Sequence, residues 1–220
     1  MKDLKDILTG ASQEIGINLG NREISLFQEY YEELIFWNKK ISLVSRKSTL
    51  DIPIKHFIDS LTVLPFIDDR KTNLLDIGSG AGFPGIPIKI VMHSLEVFLL
   101  DSSRKKTSFL KNVVQKLELG RTFVINDRVE KLIAEENHTG AFDIIISRAS
   151  FKLPQFIKTG SPLLSEKGVL IAMKGKQIND EIKEAEKIAQ KIKLVFTGHH
   201  EIKLPVTGDA RKILIFQKLS

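Results

Sequence analysis

The apolar positions follow two different rhythms in two parts of the chain. From Ile24 through Phe27, Tyr31, Leu34 and Ile35 they recur at three- and four-residue steps, with Glu29, Glu32 and Glu33 largely between them, which predicts an amphipathic helix. A shorter apolar set follows Pro53, comprising Phe57, Ile58, Leu61 and Leu64, until Pro65 stops it. Between the two lies a polar, basic connection, Asn38 to Ser48, and residues 1–70 are expected to form a helical extension. After Lys71 the pattern alternates. Strand-like runs appear at NLLDI (73–77), EVFLLD (96–101), TFVIN (122–126), FDIIIS (142–147) and GVLIAMK (168–174), with helical patterns between them. The clearest helix, Ser103 to Leu117, places Phe109, Leu110, Val113, Val114 and Leu117 on one face and Arg104, Lys105 and Lys111 away from it. Apolar strands that alternate with amphipathic helices imply a parallel sheet covered on both faces.

The end departs from that rhythm. After a polar helix near Ile178 to Lys191 come two extended runs, KLVFTGHHEIKL and ARKILIFQKL, joined by the turn-rich PVTGD, which predicts a hairpin. A parallel sheet closed by an antiparallel hairpin resembles Rossmann-like methyltransferases more than dinucleotide dehydrogenases. The expected fold class is therefore α/β, a class I S-adenosylmethionine-dependent methyltransferase domain over residues 71–220, its mostly parallel seven-stranded sheet ending in the hairpin.

Leu74 to Gly85 reads LLDIGSGAGFPG, a buried strand running into a glycine-rich turn, followed by a helix that Pro84 or Pro87 can start. Glycines there let the backbone turn tightly and a ligand approach without a Cβ in the way, at the carboxyl end of the first strand where open α/β sheets bind ligands. Counted from Gly78 and Gly80, the third position of a dinucleotide fingerprint falls on Phe83, which would obstruct close helix–strand approach. Asp76 followed by Gly78-Ser79-Gly80-Ala81-Gly82 instead resembles the first motif of S-adenosylmethionine enzymes, in which the acid orients the loop or meets the methionyl amine. Asp101, with Ser102 behind it, ends the second strand, where a carboxylate can accept both ribose hydroxyls of an adenosine. Asn126 to Glu130 follows the third strand and is placed to line an adenine pocket, with Val129 as its apolar wall; Asp127 and Glu130 also suit charge compensation at a helix start.

Absent residues narrow the chemistry. Cytosine C5 methylation needs a cysteine, and the chain has none. Exocyclic-amine methylation usually places an N/D/S-P-P-Y/F/W tetrapeptide after the fourth strand, where this chain has Ile146-Ser147-Arg148-Ala149-Ser150. A ring nitrogen such as guanine N7 carries a free lone pair, so its methylation requires alignment and exclusion of water but no general base. Arg148 could hold the base through O6, or the cofactor carboxylate.

These segments are similar to the bacterial 16S rRNA guanine-N7 methyltransferases, also called glucose-inhibited division protein B, over nearly the whole chain. The resemblance is carried by Trp37-Asn38-Lys39, Ser42 to Ser45, Lys55-His56-Phe57-Ile58-Asp59-Ser60-Leu61, DIGSGAGFPGIPI, LLDSSRKKTSFL, Arg128-Val129-Glu130, Ile146 to Ala149 and Lys174-Gly175. It implies that Gly78, Phe83, Val129, Glu130 and Arg148 contact S-adenosylmethionine, and that Arg128 and Arg211 serve substrate binding or catalysis. Arg128, Arg148 and Arg211 are accordingly the candidate catalytic residues. Asp76, Gly78, Ser79, Gly80, Gly82, Phe83, Asp101, Ser102, Arg128, Val129, Glu130 and Arg148 are the candidate cofactor residues.

Composition fits this picture. With 220 residues, 42% of them hydrophobic, the chain suffices for one α/β domain plus an extension. An excess of 33 basic over 27 acidic side chains favours polyanions, and the small-subunit rRNA or 30S subunit is the expected partner. Lys39, Lys40, Arg46, Lys47, Arg104, Lys105, Lys106, Lys174, Lys176, Arg211 and Lys212 are candidates for a basic rim, with plain solvation the alternative for many. His56 and Asp59 share a helical face and could meet RNA or anchor the extension. His199 and His200 point to opposite faces of a strand, so no metal site is expected. No apolar run is long enough to span a bilayer and the first residues lack a signal pattern, so a cytoplasmic location is expected. Apart from these patterns, a monomer is the expected state. A small-molecule methyltransferase and a non-catalytic RNA-binding assembly factor are the alternatives.

Overall fold

A computed structural model describes residues 3–45, 52–68, 70–175 and 178–219. Seven strands form one sheet: β1 (Asn73–Ile77), β2 (Glu96–Leu100), β3 (Thr122–Ile125), β4 (Phe142–Arg148), β5 (Leu164–Lys174), β6 (Leu194–Lys203) and β7 (Ala210–Lys218), in the order β3-β2-β1-β4-β5-β7-β6. β1 to β5 pair in parallel, whereas β7 runs antiparallel to both β5 and β6. The strand order reverses between β1 and β4, which opens a crevice at the carboxyl ends of the central strands.

The two faces of the sheet are covered by different helices. The second half supplies one cover, α6 (Val129–Ala134), α7 (Leu153–Gly160) and α8 (Asn179–Lys191), packed on Leu75, Ile145, Leu170 and Phe216. On the other face α4 (Gly85–Val91) and α5 (Arg104–Lys116) lie with the amino-terminal segment. That segment comprises α1 (Leu4–Glu14), α2 (Asn21–Asn38), a π-helical turn over Ile52–Ile58, a single turn α3 (Asp59–Leu61) and a 3-10 turn over Leu64–Phe66. Phe27, Tyr30, Leu34, Ile54, Phe57, Ile58 and Leu61 are wholly buried in one core with Ile86, Phe109, Ile146 and Ile213. The expected helix from Ile24 to Ile35 lies within α2, and the apolar set after Pro53 becomes the π and α turns. Among the described residues no helix is long and apolar enough to cross a membrane.

Candidate functional site

The loop after β1 is held by backbone and side chain together. Gly78 and Ser79 N–H groups both donate to the Leu100 carbonyl at the end of β2 (2.8 and 3.0 Å), so the loop folds over the strand that carries Asp101. Gly78, Gly80 and Gly82 all have positive φ (+77°, +61° and +92°), and each is glycine for a different reason. At Gly78 an added Cβ would lie 2.6 Å from Ser150 Oγ, and at Gly82 it would strike Ile86 and the Tyr30 hydroxyl, whereas at Gly80 it would meet only the Gly78 carbonyl oxygen at 3.8 Å. The Tyr30 hydroxyl, in α2, donates to the Ala81 carbonyl and ties the loop to the extension. Close approach of helix to strand falls to Gly85, where a Cβ would be 2.4 Å from Leu99 and 2.9 Å from the Asp76 carboxylate.

Two acids organise the loop. Asp76 is wholly buried, and one carboxylate oxygen accepts the Gly85 N–H at 2.9 Å while the other has no hydrogen-bond partner among the described residues. Burial raises its pKa to about 7, against the Gly85 hydrogen bond and the field of Arg148. Of the two roles expected for this acid, orienting the loop is the one its contacts serve. Asp101 accepts Gly80 N–H (2.9 Å) on one oxygen and Ser103 N–H (2.8 Å) on the other, with Lys106 at 4.0 Å, so it is fixed before any ligand arrives and keeps lone pairs to offer.

A cleft of about 580 Å³ opens beside these groups at the carboxyl ends of β1, β2 and β3. Of the residues expected at a cofactor site, it brings together Gly78, Asp101, Ser102, Arg128, Val129 and Glu130. Asp127 accepts the Arg128 N–H at 2.7 Å and meets Lys131 at 3.3 Å, and those contacts hold its carboxyl below the usual range. Ser79, Gly80 and Gly82 support the loop from behind. Phe83 does not line the cleft: its buried ring packs among Tyr30, Phe57 and His56, with the His56 ring stacked at 4.9 Å. The sequence reading missed Ser103, Ser150 and Phe151 on the wall, although the SSRKK and SRASF segments that hold them were in view.

Arg148 also stands behind the cleft. One Nη donates to the Lys55 carbonyl (3.0 Å) and Asp59 (3.3 Å), the other meets His56 Nδ1 (2.9 Å), and the guanidinium lies 4.9 Å over the Phe83 ring. Because arginine only donates, His56 Nδ1 is the acceptor in that bond. Arg211 reaches the same carboxylate, Nε to Asp59 Oδ1 and Oδ2 at 3.2 and 3.1 Å. His56 and Asp59 thus share Arg148, which makes them an anchor between the extension and β4. Burial pushes the Asp59 carboxyl upward despite the two guanidinium groups.

Of the expected basic rim, Lys39, Lys40, Arg104 and Lys105 are exposed and Lys106 borders the cleft. Lys174 is tied to the Phe151 carbonyl and Glu181, and Lys212 to Asn179 and Glu201. Arg46, Lys47 and Lys176 lie outside the described residues. Trp37 donates to Glu33 (3.2 Å) and packs edge-on against Phe109, and His200 lies 4.3 Å from the Phe66 ring.

The cleft suits an adenosine-bearing sulfonium: bare glycine backbone on one side, a pre-set carboxylate at the end of β2, and an apolar Val129 wall after β3. The family model described as rRNA small subunit methyltransferase G matches residues 23–206. A protein of that name from Syntrophus aciditrophicus is 44% identical over 209 residues, covering 94% of this chain and 87% of the relative. The Desulforamulus reducens protein of the same name is 37% identical over 220 residues, covering 100% and 92%. In fold the chain is similar to the crystal structure of M. jannaschii TYW2 in complex with AdoMet, with a TM-score of 0.58 and 14% identity over 81% of this chain and 78% of that one.

Proposed function

This chain belongs to the rRNA small subunit methyltransferase G family, and on that premise we propose that it transfers a methyl group from S-adenosyl-L-methionine to N7 of a guanine in 16S rRNA. The observation that carries this reading is the cleft in which Gly78, Asp101 and Val129 meet at the switch point of the sheet. The cofactor supplies an electrophilic methyl group on a positively charged sulfur. Asp101 takes the ribose hydroxyls, Val129 walls the adenine, and Gly78 leaves its backbone open to the methionyl part. Arg128 and Arg211 contact the RNA.

A neutral guanine N7 presents a lone pair with no proton to remove. The protein's task is then to orient the acceptor and exclude water, and among the described residues the cleft wall offers no histidine or cysteine to act as base or nucleophile. Arg148, partly buried against the Phe83 ring, supports this geometry by fixing Phe83 and the extension. A substrate in the small subunit places the enzyme in the cytoplasm.

Borohydride–aniline treatment cleaves RNA at N7-methylguanine. Small-subunit rRNA from cells lacking the gene should lose one cleavage product relative to wild type, and the purified protein with cofactor should restore it. Unchanged cleavage in the deletion strain would refute the N7 assignment.

A further inference from the structure

Asp59 holds two cations with one carboxylate. It is 3% exposed and lies at the start of α3, between Arg148 at the end of β4 and Arg211 near the start of β7. Both of its oxygens accept from Arg211 Nε, and Arg148 Nη1 donates to one of them. Lys55 and Asp209 beside this cluster offset one another at 3.8 Å. Arg148 also lies in the field of the buried Asp76, whereas Arg211 shares its one carboxylate partner among the described residues, so the less compensated positive charge is on Arg211.

That charge faces outward on Arg211. Arg148 spends Nη1 and Nη2 on Asp59, the Lys55 carbonyl and His56. Arg211 spends Nε on Asp59 and Nη1 on the Ala210 carbonyl, its Nη2 has no partner among the described residues, and its side chain is 23% exposed. Lys212, the next residue, pairs with Lys174 at the carboxyl end of β5, so Arg211 stands on the ligand-binding edge of the sheet. A long arginine at such an edge ordinarily samples many rotamers, and fixing one in advance removes an entropic cost of binding. A fixed planar donor whose positive charge is only shared with one carboxylate matches a phosphodiester oxygen.

We propose that Asp59 is a positioning residue that grips Arg211 by Nε so that its Nη2 edge receives a phosphodiester of the RNA substrate. The inference rests on the rRNA-methylation reading. It adds to that reading a residue from the extension that acts on RNA through another side chain.

The experiment is a double-mutant cycle on the full chain, with Asp59→Asn, Arg211→Ala and the double variant, reading KM for RNA, kcat, cofactor affinity by calorimetry and the salt dependence of RNA binding. Either single change should raise KM about tenfold, the scale of one hydrogen bond to a charged group. Each should also flatten the salt slope by about one phosphate contact, with cofactor affinity held within about twofold. Asp59→Asn made on top of Arg211→Ala should add nothing to KM. Additive KM effects, or an Asp59→Asn variant with unaltered KM and slope, would overturn the proposal.

Should Asp59→Asn fail to fold because Arg148 loses its partner, Arg211→Lys decides. An ammonium bound to Asp59 presents no second planar edge, so KM should stay raised, and a return to the wild-type KM would overturn the proposal. A wild-type protein inactive on both naked rRNA and 30S particles would refute the methylation reading itself, whereas an active wild type with additive variants refutes only the role of Asp59.

Discussion

A Cβ at position 78 would sit 2.6 Å from Ser150 Oγ, on a backbone with φ of +77° that branched residues do not tolerate. Gly78→Val should therefore abolish the calorimetric signal of S-adenosylmethionine binding by displacing the loop and filling the cleft. Equal affinity in variant and wild type would show the loop assignment to be wrong. Asp76 lies two residues before, and its buried carboxyl has a pKa of about 7 against 3.8 for an unperturbed aspartate. The folded chain thus holds this proton more tightly than the unfolded one. The stability it contributes is complete below about pH 4 and is lost as the pH rises to about 7, at ~1.4 kcal/mol per unit. Asp76→Asn, which keeps an acceptor for Gly85 N–H, should lack that decline. Urea midpoints for wild type and variant at pH 5 and pH 8 should differ in their pH dependence by about 2–3 kcal/mol. Parallel behaviour would mean that Asp76 titrates normally.

At the scale of elements, the alternating half of the chain was legible because a buried parallel strand needs an unbroken apolar run, and NLLDI is β1 to the residue. For β5 the apolar run marks a strand only from Gly168, whereas the strand begins at Leu164. Its first residues, LSEK, are mostly polar, and the β4–β5 register shifts between Phe142 and Ile144 before regular pairing resumes. The π turn at Ile52–Ile58 was hidden for a related reason: apolar spacing marks the buried face and does not distinguish a five-residue hydrogen-bond step from a four-residue one. α1 went unread as a separate element because only Leu8, Ala11 and Ser12 are buried along it. The site divided in the same way. Gly78, Asp101 and Val129 follow strand ends, so their convergence could be read from the alternation. The burial of Phe83 and the partners of Arg148 depend on an extension packing against them from far away in sequence, and no local pattern reports that contact.

At the scale of the molecule, the extension is a lid on one face of the sheet and a brace for the site. Phe27, Tyr30, Leu34, Ile54, Phe57, Ile58 and Leu61 are fully buried in the core shared with α4, α5 and the sheet. At roughly 1.5–3 kcal/mol for each such side chain, their burial is worth on the order of 10–20 kcal/mol, as large as the whole net stability of an ordinary domain. The polar ties run the same way: Lys116 and Asn112 of α5 both bind Glu33 of α2, at 2.6 and 2.7 Å, and Arg148 and Arg211 both bind Asp59. We therefore expect residues 71–220 expressed alone not to fold, although they contain all seven described strands and the described lining of the cleft. Such a fragment should be insoluble or lack a cooperative thermal transition, whereas the full chain should melt in one step that fluorescence of Trp37, in the extension, and far-ultraviolet dichroism, dominated by the sheet and its helices, report at the same temperature. A soluble fragment with a sharp transition and intact cofactor binding would show that the extension is a separable RNA-binding appendage and that the cleft is shaped by the sheet alone.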